Sequence, residues 1–341
     1  MANAQYQRFL DEWNNADRRV LVRTSGSTGT PKEMWAEKRR MEASARATCQ
    51  FLGLHEGDSA LLCMSTDYIA GKMMVVRALT CGLQIVCVEP SGHPLQTLVR
   101  DGLPAPTFAA MVPMQVWNTL QVPAEEQLLR DIRQLIIGGG AIDARLSAAL
   151  HAFPHAVWST YGMTETLSHI AMRRLNGPEA STWYTPLPGV GVALSDMGTL
   201  VIDAPHVCPE RLVTNDLAEL SGDGRFRILG RRDNVIVTGG VKVQAEEIEA
   251  RLRQRLPALS LAVTSVPDEK FGERIVLLVE SKGNEKGGSQ DQCHQVLHSA
   301  TDELPKYWQP KSIFFVPHLP LTETGKTDRA AVRRLAQSFT R

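Results

Sequence analysis

Short apolar runs alternate with stretches of helical spacing through the first half of the chain. The runs that predict β-strands lie at 59–64, 83–88, 108–112 and 134–138. The stretches that predict helices between them lie at 71–79, 94–102 and 114–130. Such alternation is typical of βαβ units, in which helices cover both faces of a parallel sheet. The pattern therefore predicts a large N-terminal α/β domain with a mostly parallel, buried sheet.

The pattern changes after Pro186, where strand-like runs separated by turns replace the alternation. Runs at 199–202 and 225–229 predict a smaller antiparallel layer. Beyond it, apolar residues four apart predict a helix over 244–256, and further strand-like runs follow. This tail is compact enough to form a small α+β C-terminal domain. The predicted domains are 1–230 and 231–341.

Two more helices are predicted before the first strand of the large sheet. Apolar and aromatic residues at helical spacing indicate a short amphipathic helix over 3–16. A second helix over 37–53 ends at Gly53, because glycine readily adopts the conformation that terminates helices. The N-terminal helix is expected to pack on the body of the protein.

Composition indicates a cytoplasmic, globular protein. Of the 341 residues, 43% are hydrophobic, which is enough for a sizeable core. Lys plus Arg (37) balance Asp plus Glu (37), which argues against nucleic acid or a membrane surface as a partner. The six cysteines form no C-x-x-C pair and resemble buried apolar residues in a reducing compartment. No signal-peptide pattern or membrane-span-length apolar run is evident.

The stretch at 24–32 has the composition of a loop that holds a polyphosphate. Glycines let the backbone approach a ligand closely, and hydroxyls, backbone N–H groups and a lysine can bind phosphate oxygens. It is not a Walker motif, because no Gly-Lys-Ser/Thr follows. The alternative is an ordinary surface turn rich in Ser, Thr and Gly. The predicted phosphate-binding residues are Thr24, Ser25, Gly26, Ser27, Thr28, Gly29 and Lys32.

A second polar stretch follows the apolar run 156–158. Glu165 beside Thr164, just after a strand, can hold a magnesium ion and contact a phosphate. The alternative is a helix start, with Thr164 as the N-cap and Glu165 in the first turn.

Six segments together resemble the adenylate-forming superfamily, which includes acyl-CoA synthetases, peptide-synthetase adenylation domains and luciferases. In chain order they are 24–32, 138–142, 161–166, 214–216, 229–243 and 319–329. The resemblance implies the adenylate-forming enzyme fold. This chain departs from the family in two ways: Asn215 replaces the usual glycine before Asp216, and the phosphate loop comes almost at the start. We therefore expect a fold shortened at the N-terminus.

The resemblance also implies roles for the nucleotide site. The adenine would lie against the glycine-rich end of a strand, and Asp216 would accept both ribose hydroxyls while Arg231 contacts the ribose. Glu165 would be the ligand of Mg²⁺, and Glu165 and Thr164 would act in catalysis. A glycine-rich turn is the alternative for the adenine segment. The remaining implied nucleotide contacts are Gly139, Gly140, Ala141, Tyr161 and Gly162.

Near the C-terminus, the resemblance implies a mobile domain that carries the catalytic lysine. Lys326 would stabilise the charge on the transferring phosphate, as a flexible ammonium can. Asp233 would be the hinge, and Gly239 and Gly240 would line a passage for the pantetheine arm of coenzyme A. The alternatives are a solvated lysine on a loop and a charged turn before a hairpin.

The acid-binding residues are predicted in two places: the segment 66–79, which includes the helix at 71–79, and the residues after the segment 161–166. Lys72 and Arg77 lie five residues apart, about 140° around a helix at roughly 100° per residue, so they need not face one site. A buried Arg77 would suit a second carboxylate of the substrate. Tyr68 and His169 are the other candidates for this cavity. The alternatives are a surface ion pair for Arg77 and a structural role for His169.

In this helix the chain is similar to o-succinylbenzoate–CoA ligases of menaquinone biosynthesis, some of which are compact and place an arginine at the corresponding position. The resemblance implies an AMP-forming acid–CoA ligase that uses ATP, Mg²⁺ and coenzyme A. Two rival interpretations remain. In the first, the enzyme would be a CoA ligase for another aromatic acid or would pass its acyl group to a carrier protein. In the second, the chain would be a non-catalytic nucleotide-binding protein.

Overall fold

A computed structural model gives the architecture of the chain. The described residues are 2–23, 33–140, 142, 144–257, 259–281, 288–322 and 327–340. No helix in this described part is both long and apolar enough to cross a membrane.

The N-terminal part consists of two helices and a β-hairpin. Its elements are α1 (Ala2–Asn14), β1 (Arg19–Arg23), β2 (Glu33–Glu37) and α2 (Lys38–Leu52). Helix α2 ends as predicted at Gly53, whose φ of 62° is left-handed. The antiparallel pairing of β1 with β2 was not predicted from the sequence.

A seven-stranded sheet forms the centre of the large α/β domain. Its strands are β3 (Ser59–Leu62), β4 (Gln84–Cys87), β5 (Phe108–Met111), β6 (Gln134–Ile137), β7 (Ala156–Gly162), β8 (His169–Arg174) and β9 (Thr185–Pro186). The strand order is β4-β3-β5-β6-β7-β8-β9. The first five strands in this order are parallel, and the β7–β8 and β8–β9 pairings are antiparallel. The prediction of a mostly parallel sheet is confirmed.

The central strands β3, β5 and β6 are buried on both faces because they are almost entirely apolar. Side chains alternate between two cores: Phe108 and Ala110 point to one, and Ala109 and Met111 to the other. The connecting helices are α3 (Ile69–Cys81), α4 (Gln96–Arg100), α5 (Pro113–Thr119), α6 (Pro123–Asp131) and α7 (Ala144–Leu150). Helices α2 and α3 cover the first face, and α4 to α7 cover the second.

A four-stranded antiparallel layer follows, as predicted. Its strands are β10 (Gly191–Leu194), β11 (Thr199–Asp203), β12 (Leu212–Leu220) and β13 (Phe226–Arg231), which pair in sequence order. Buried residues of this layer, including Leu200 and Phe226, join the first core. The layer therefore packs against the same core as α2 and α3.

The C-terminal part is a separate α+β unit with its own core. Its elements are β14 (Val235–Thr238), β15 (Val241–Gln244), α8 (Ala245–Arg255), β16 (Leu261–Asp268), β17 (Gly272–Glu280), α9 (Gly288–Asp302), β18 (Ser312–Val316) and α10 (Arg329–Ser338). The sheet order is β15-β14-β17-β16, with β18 parallel to β17. The fold class predicted from the sequence is confirmed, while the domain boundary at 230/231 stays a prediction.

Candidate functional site

The predicted phosphate loop lies between the two strands of the N-terminal hairpin. Its residues, Thr24, Ser25, Gly26, Ser27, Thr28, Gly29 and Lys32, lie outside the described residues. The strands on either side end in register, with Arg23 opposite Glu33, and an ion pair of 3.0 Å joins their side chains. The hairpin therefore fixes both ends of this loop.

The predicted adenine segment follows β6 at the carboxyl edge of the parallel sheet. Gly138 packs so closely on Thr160 that an added Cβ would lie 2.5 Å from the Thr160 Oγ1. Gly139 has a φ of 78°, a backbone angle that residues other than glycine rarely adopt. Gly140 continues this exposed turn, while Ala141 lies outside the described residues. The close packing and the backbone angle both require glycine here.

Tyr161, Asp216 and Arg231 come together from three strands. The Tyr161 hydroxyl donates to Asp216 Oδ2 at 2.6 Å, and Arg231 Nη1 lies 3.5 Å from Asp216 Oδ1. Burial, followed by the charge of Asp216, raises the pKa of Tyr161, so its phenol remains a donor. Asn215 lies within β12 and is not among the described residues with positive φ. The backbone before Asp216 therefore does not require glycine at this position.

The segment after β7 makes a tight connection to β8. Thr164–Thr166 form a single 3₁₀ turn, and the Thr166 hydroxyl accepts from the Met163 N–H at 3.1 Å. A Cβ at Gly162 would lie 2.4 Å from the Ser168 carbonyl oxygen, which explains the glycine. No α-helix starts here, so Thr164 is not the N-cap of one. Glu165 is exposed on this turn, without an ion pair or hydrogen bond among the described residues.

A polar chain of contacts links the residues that follow this turn to helices α2 and α3. It runs from Arg77 through Ser168 and His169 to Thr48, and all but the half-buried Ser168 are buried. Arg77 Nη2 donates to Ser168 Oγ at 2.5 Å, and Ser168 Oγ lies 3.4 Å from His169 Nδ1. His169 Nε2 lies 3.0 Å from Thr48 Oγ1. The predicted residues Arg77 and His169 are therefore brought to one place. Ser168 and Thr48 were not predicted as site residues, because neither belongs to a recognisable motif.

Arg77 is a buried cation that no carboxylate of the described chain neutralises. The residue is only 2% exposed, and its Nε has no hydrogen-bond partner among the described residues. Burial lowers the pKa of Arg77 to about 10, so the guanidinium remains charged at neutral pH. The alternative of a surface ion pair is wrong. Burial, followed by the charge of Arg77, lowers the pKa of His169 well below its ordinary value, so His169 is neutral.

Lys72 and Tyr68, the other predicted acid-binding residues, are not brought to this chain of contacts. The Lys72 ammonium pairs with Glu12 of α1 at 2.6 Å and lies 4.9 Å from the ring centroid of Phe9. Tyr68 precedes α3 and is 43% exposed. Lys72 thus fastens the N-terminal helix to α3, which favours a structural role over the predicted acid binding, while acid binding by Tyr68 stays a prediction.

Replacing Lys72 with methionine should loosen α1 without changing acid binding. We expect the free energy of unfolding to fall by about 1–3 kcal/mol, because the ion pair to Glu12 and the contact with Phe9 are lost. Denaturant unfolding and the KM for the acid measure the two effects, with Glu12→Gln as the matched control. A KM that rises tenfold or more in Lys72→Met alone would instead indicate acid binding.

His169 should make stability depend on pH. Its pKa is lower in the folded state than in the unfolded chain, so its contribution is complete above pH 6.5 and is lost as the pH falls. From pH 6.5 to 5.5 we expect the wild type to lose about 1 kcal/mol more unfolding free energy than His169→Gln. Denaturant titrations at both pH values measure this, and identical pH slopes would show that His169 does not contribute.

The predicted hinge and the glycine turn occupy the start of the C-terminal unit. Arg231 Nη2 donates to Asp233 Oδ2 at 2.9 Å, within the 3₁₀ turn that follows β13. Gly239 and Gly240 have φ values of 56° and 80° and form the two-residue turn between β14 and β15. Lys326 lies outside the described residues. The roles of these residues in motion and in CoA passage stay predictions.

The carboxylate of Glu165 suits a magnesium ion that is shared with substrate phosphates better than a metal site built by protein side chains alone. No group of three or more His, Cys, Asp or Glu side chains forms a metal site in the described part of the chain. Mg²⁺ is commonly bound by one or two carboxylates together with substrate phosphates. The exposed, unpaired Glu165 matches that arrangement.

Comparison with protein families gives two matches along the chain. The family described as AMP-binding enzyme matches residues 5–210, and the AMP-binding enzyme C-terminal domain matches residues 247–326. The first match alone covers more than half of the 341 residues.

Individual relatives agree with these matches. The 2-succinylbenzoate–CoA ligase of Bacillus cytotoxicus is 25% identical, over 96% of this chain and 72% of that enzyme. An acyl-CoA synthetase (AMP-forming)/AMP-acid ligase II-like protein from Dyadobacter fermentans is 33% identical, with a TM-score of 0.63, over 97% of this chain and 93% of that one. The fold also matches the o-succinylbenzoate coenzyme A synthetase of Bacillus subtilis, solved with ATP and magnesium ion, at 22% identity and a TM-score of 0.71, over 92% and 69% of the two chains.

Proposed function

The chain belongs to the family of AMP-binding enzymes, and we propose that it is an ATP-dependent acid–CoA ligase that converts o-succinylbenzoate to its CoA thioester. The relatives named 2-succinylbenzoate–CoA ligase support this reaction, as does the match to an AMP-forming acyl-CoA synthetase-like protein. The thioester would serve menaquinone biosynthesis, as the resemblance in sequence implies.

The observation that carries the choice of acid is the buried guanidinium of Arg77. Leaving such a cation without an anion is costly, and a carboxylate that binds it in the bidentate manner offsets that cost. The site around Arg77 and Ser168 directly follows the turn that carries Glu165. An acid with two carboxylates can place one at Arg77 while the other reaches the nucleotide. o-Succinylbenzoate is such an acid, and a simple benzoate is not.

The nucleotide would bind at the carboxyl edge of the large sheet. Asp216, held by Tyr161 and Arg231, would accept the ribose hydroxyls, and the backbone at Gly139 and Gly140 would pack on the adenine. The loop at 24–32 would hold the β- and γ-phosphates. Parallel α/β sheets commonly bind ligands at this edge, where the strands end and the connecting loops begin.

Activation would proceed in one displacement at phosphorus. A carboxylate oxygen of the acid bonds to the α-phosphorus of ATP as the bond to pyrophosphate breaks, giving acyl-adenylate and pyrophosphate. The Lys326 ammonium would stabilise the charge that grows on the phosphate oxygens. Magnesium, held by Glu165 and the phosphates, would supply additional charge neutralisation. The neutral His169 and Ser168 would keep the far carboxylate and Arg77 in place.

The second step would transfer the acyl group to coenzyme A. The thiolate attacks the acyl carbonyl carbon, a C–S bond forms, and AMP leaves with the carboxylate oxygen that had joined phosphorus. For this step the C-terminal unit would turn about Asp233, which removes Lys326 and brings the turn at Gly239 and Gly240 to the acyl group.

Product analysis tests this proposal. The protein is incubated with ATP, Mg²⁺, CoA and o-succinylbenzoate, and AMP, pyrophosphate and the thioester are quantified by mass spectrometry. We expect all three products in equal amounts and only when the acid is present. Activity with a monocarboxylic aromatic acid but not with o-succinylbenzoate would overturn the substrate. ATP binding without turnover of any acid would support the non-catalytic interpretation.

A further inference from the structure

A buried ion pair in the C-terminal unit lies at the base of the segment that contains Lys326. Glu249 of α8 is 1% exposed, and its carboxylate receives the guanidinium of Arg329 in a bidentate contact. The two oxygen–nitrogen distances are 2.5 and 2.9 Å. Such fork-to-fork pairs fix orientation as well as charge, because two parallel hydrogen bonds must be satisfied at once.

The ion pair of Glu249 and Arg329 also binds the backbone of an edge strand, β16. Strand β16 is at the edge of its sheet. Glu249 Oε1 accepts from the Val263 N–H at 2.8 Å, and Arg329 Nη1 donates to the Val263 carbonyl oxygen at 3.2 Å. The two side chains therefore satisfy the backbone groups that a neighbouring strand would otherwise bind. This arrangement ties α8, β16 and the start of α10 together at one point.

Residues 320–321 and 327–328 pair with each other on either side of the segment that contains Lys326, and we call this paired region the neck. Arg329 directly follows the neck. Leu321 and Thr327 form an antiparallel bridge, and the Asp328 N–H donates to the Pro320 carbonyl oxygen at 3.0 Å. Asp328 also caps α10 by accepting from the Ala331 N–H. The contact of Arg329 with Glu249 therefore ties the end of the neck to α8 and β16.

We propose that Arg329 and Glu249 are positioning residues for adenylate formation, holding the neck so that Lys326 can reach the α-phosphate. This inference rests on the proposed function. It concerns the first half-reaction alone, because Lys326 has no role once the acyl-adenylate exists. Displacing a catalytic group by about 1 Å can reduce a rate about 100-fold.

The test separates the two half-reactions. Arg329→Lys and Glu249→Gln are compared with the wild type in adenylate formation from ATP and acid, and in thioester formation from chemically prepared acyl-adenylate and CoA. We expect adenylate formation to fall about 30- to 100-fold and thioester formation to change less than about threefold. Thioester formation at the wild-type rate also shows that each variant is folded.

Arg253→Lys is the matched control. Arg253 also contacts Glu249, with its Nη2 3.1 Å from Oε2, but it lies on α8 and contacts no neck residue in the described part of the chain. We expect both of its half-reactions to stay within about threefold of the wild type. Arg329 variants that keep adenylate formation, or that lose both half-reactions equally, would overturn the inference. A wild type that forms no adenylate would instead refute the proposed function itself.

Discussion

Replacing Lys326 with alanine should reduce acyl-adenylate formation about 10²- to 10³-fold. The physical reason is that, in the proposed mechanism, the ammonium would stabilise charge that exists only in the transition state, so ground-state binding of ATP should change little. Rapid-quench assays of adenylate formation measure the rate, and ATP titration measures binding. Thioester formation from supplied acyl-adenylate should stay within about threefold of the wild type.

Lys311 provides a control for this prediction. It precedes β18, and its backbone N–H donates to the Ile275 carbonyl oxygen, while its side chain is exposed. Lys311→Ala should leave both half-reactions unchanged, because it removes a positive charge from the same unit away from the neck. A Lys326→Ala variant with normal adenylate formation would show that the predicted catalytic role is wrong.

The second large effect is expected at Arg77. Arg77→Gln should raise the KM for o-succinylbenzoate about 10²- to 10³-fold and leave the KM for ATP unchanged. A carboxylate that loses a desolvated guanidinium partner loses several kcal/mol of binding free energy. The proposed nucleotide contacts Tyr161, Asp216 and Arg231 lie on β7, β12 and β13 and not on α3. Steady-state kinetics with each substrate varied in turn measure both constants.

Two comparisons make the Arg77 prediction specific. Lys72→Met, which removes a cation from the same helix, should keep the wild-type KM for the acid. A monocarboxylic analogue of the acid should be used equally poorly by the wild type and by Arg77→Gln. If Arg77→Gln retains its affinity for o-succinylbenzoate, a ligase for another aromatic acid, or one that serves a carrier protein, becomes the better interpretation.

The sequence predicted the large sheet well because its information is local. Strands such as β5 and β6 are continuous apolar runs between turns, and burial on both faces leaves no other arrangement for them. The prediction was less accurate where a helix breaks. One helical stretch was predicted over 114–130, but Pro123 begins a new helix, since proline is favoured in the first turn.

The hairpin of β1 and β2 was missed for a different reason. Its strands are short, and the nine residues between them carry the strongest polar signal of the chain. Hairpins are recognised from the sequence mainly by short turns, and a connection of nine residues gives no such signal. The alternation of apolar and polar residues in Arg19–Arg23 was the available signal.

Family resemblance supplied candidate site residues, but not the contacts between them. Tyr161 and Asp216 were both predicted, yet the hydrogen bond between them spans 55 residues of sequence, and nothing local indicates it. Lys72 was predicted near the acid because it lies on the same helix as Arg77. Its pairing with Glu12, 60 residues away, depends on where α1 packs, which the helical pattern of α1 alone does not determine.

The most direct test of the proposed reaction follows an oxygen atom. The acid is labelled with ¹⁸O in its carboxylates and incubated with ATP, Mg²⁺ and CoA, and the AMP is analysed by mass spectrometry. Attack of the carboxylate on the α-phosphorus predicts one ¹⁸O atom in each AMP formed along with the thioester. Unlabelled AMP, or label found in inorganic phosphate beside ADP, would contradict an acyl-adenylate pathway.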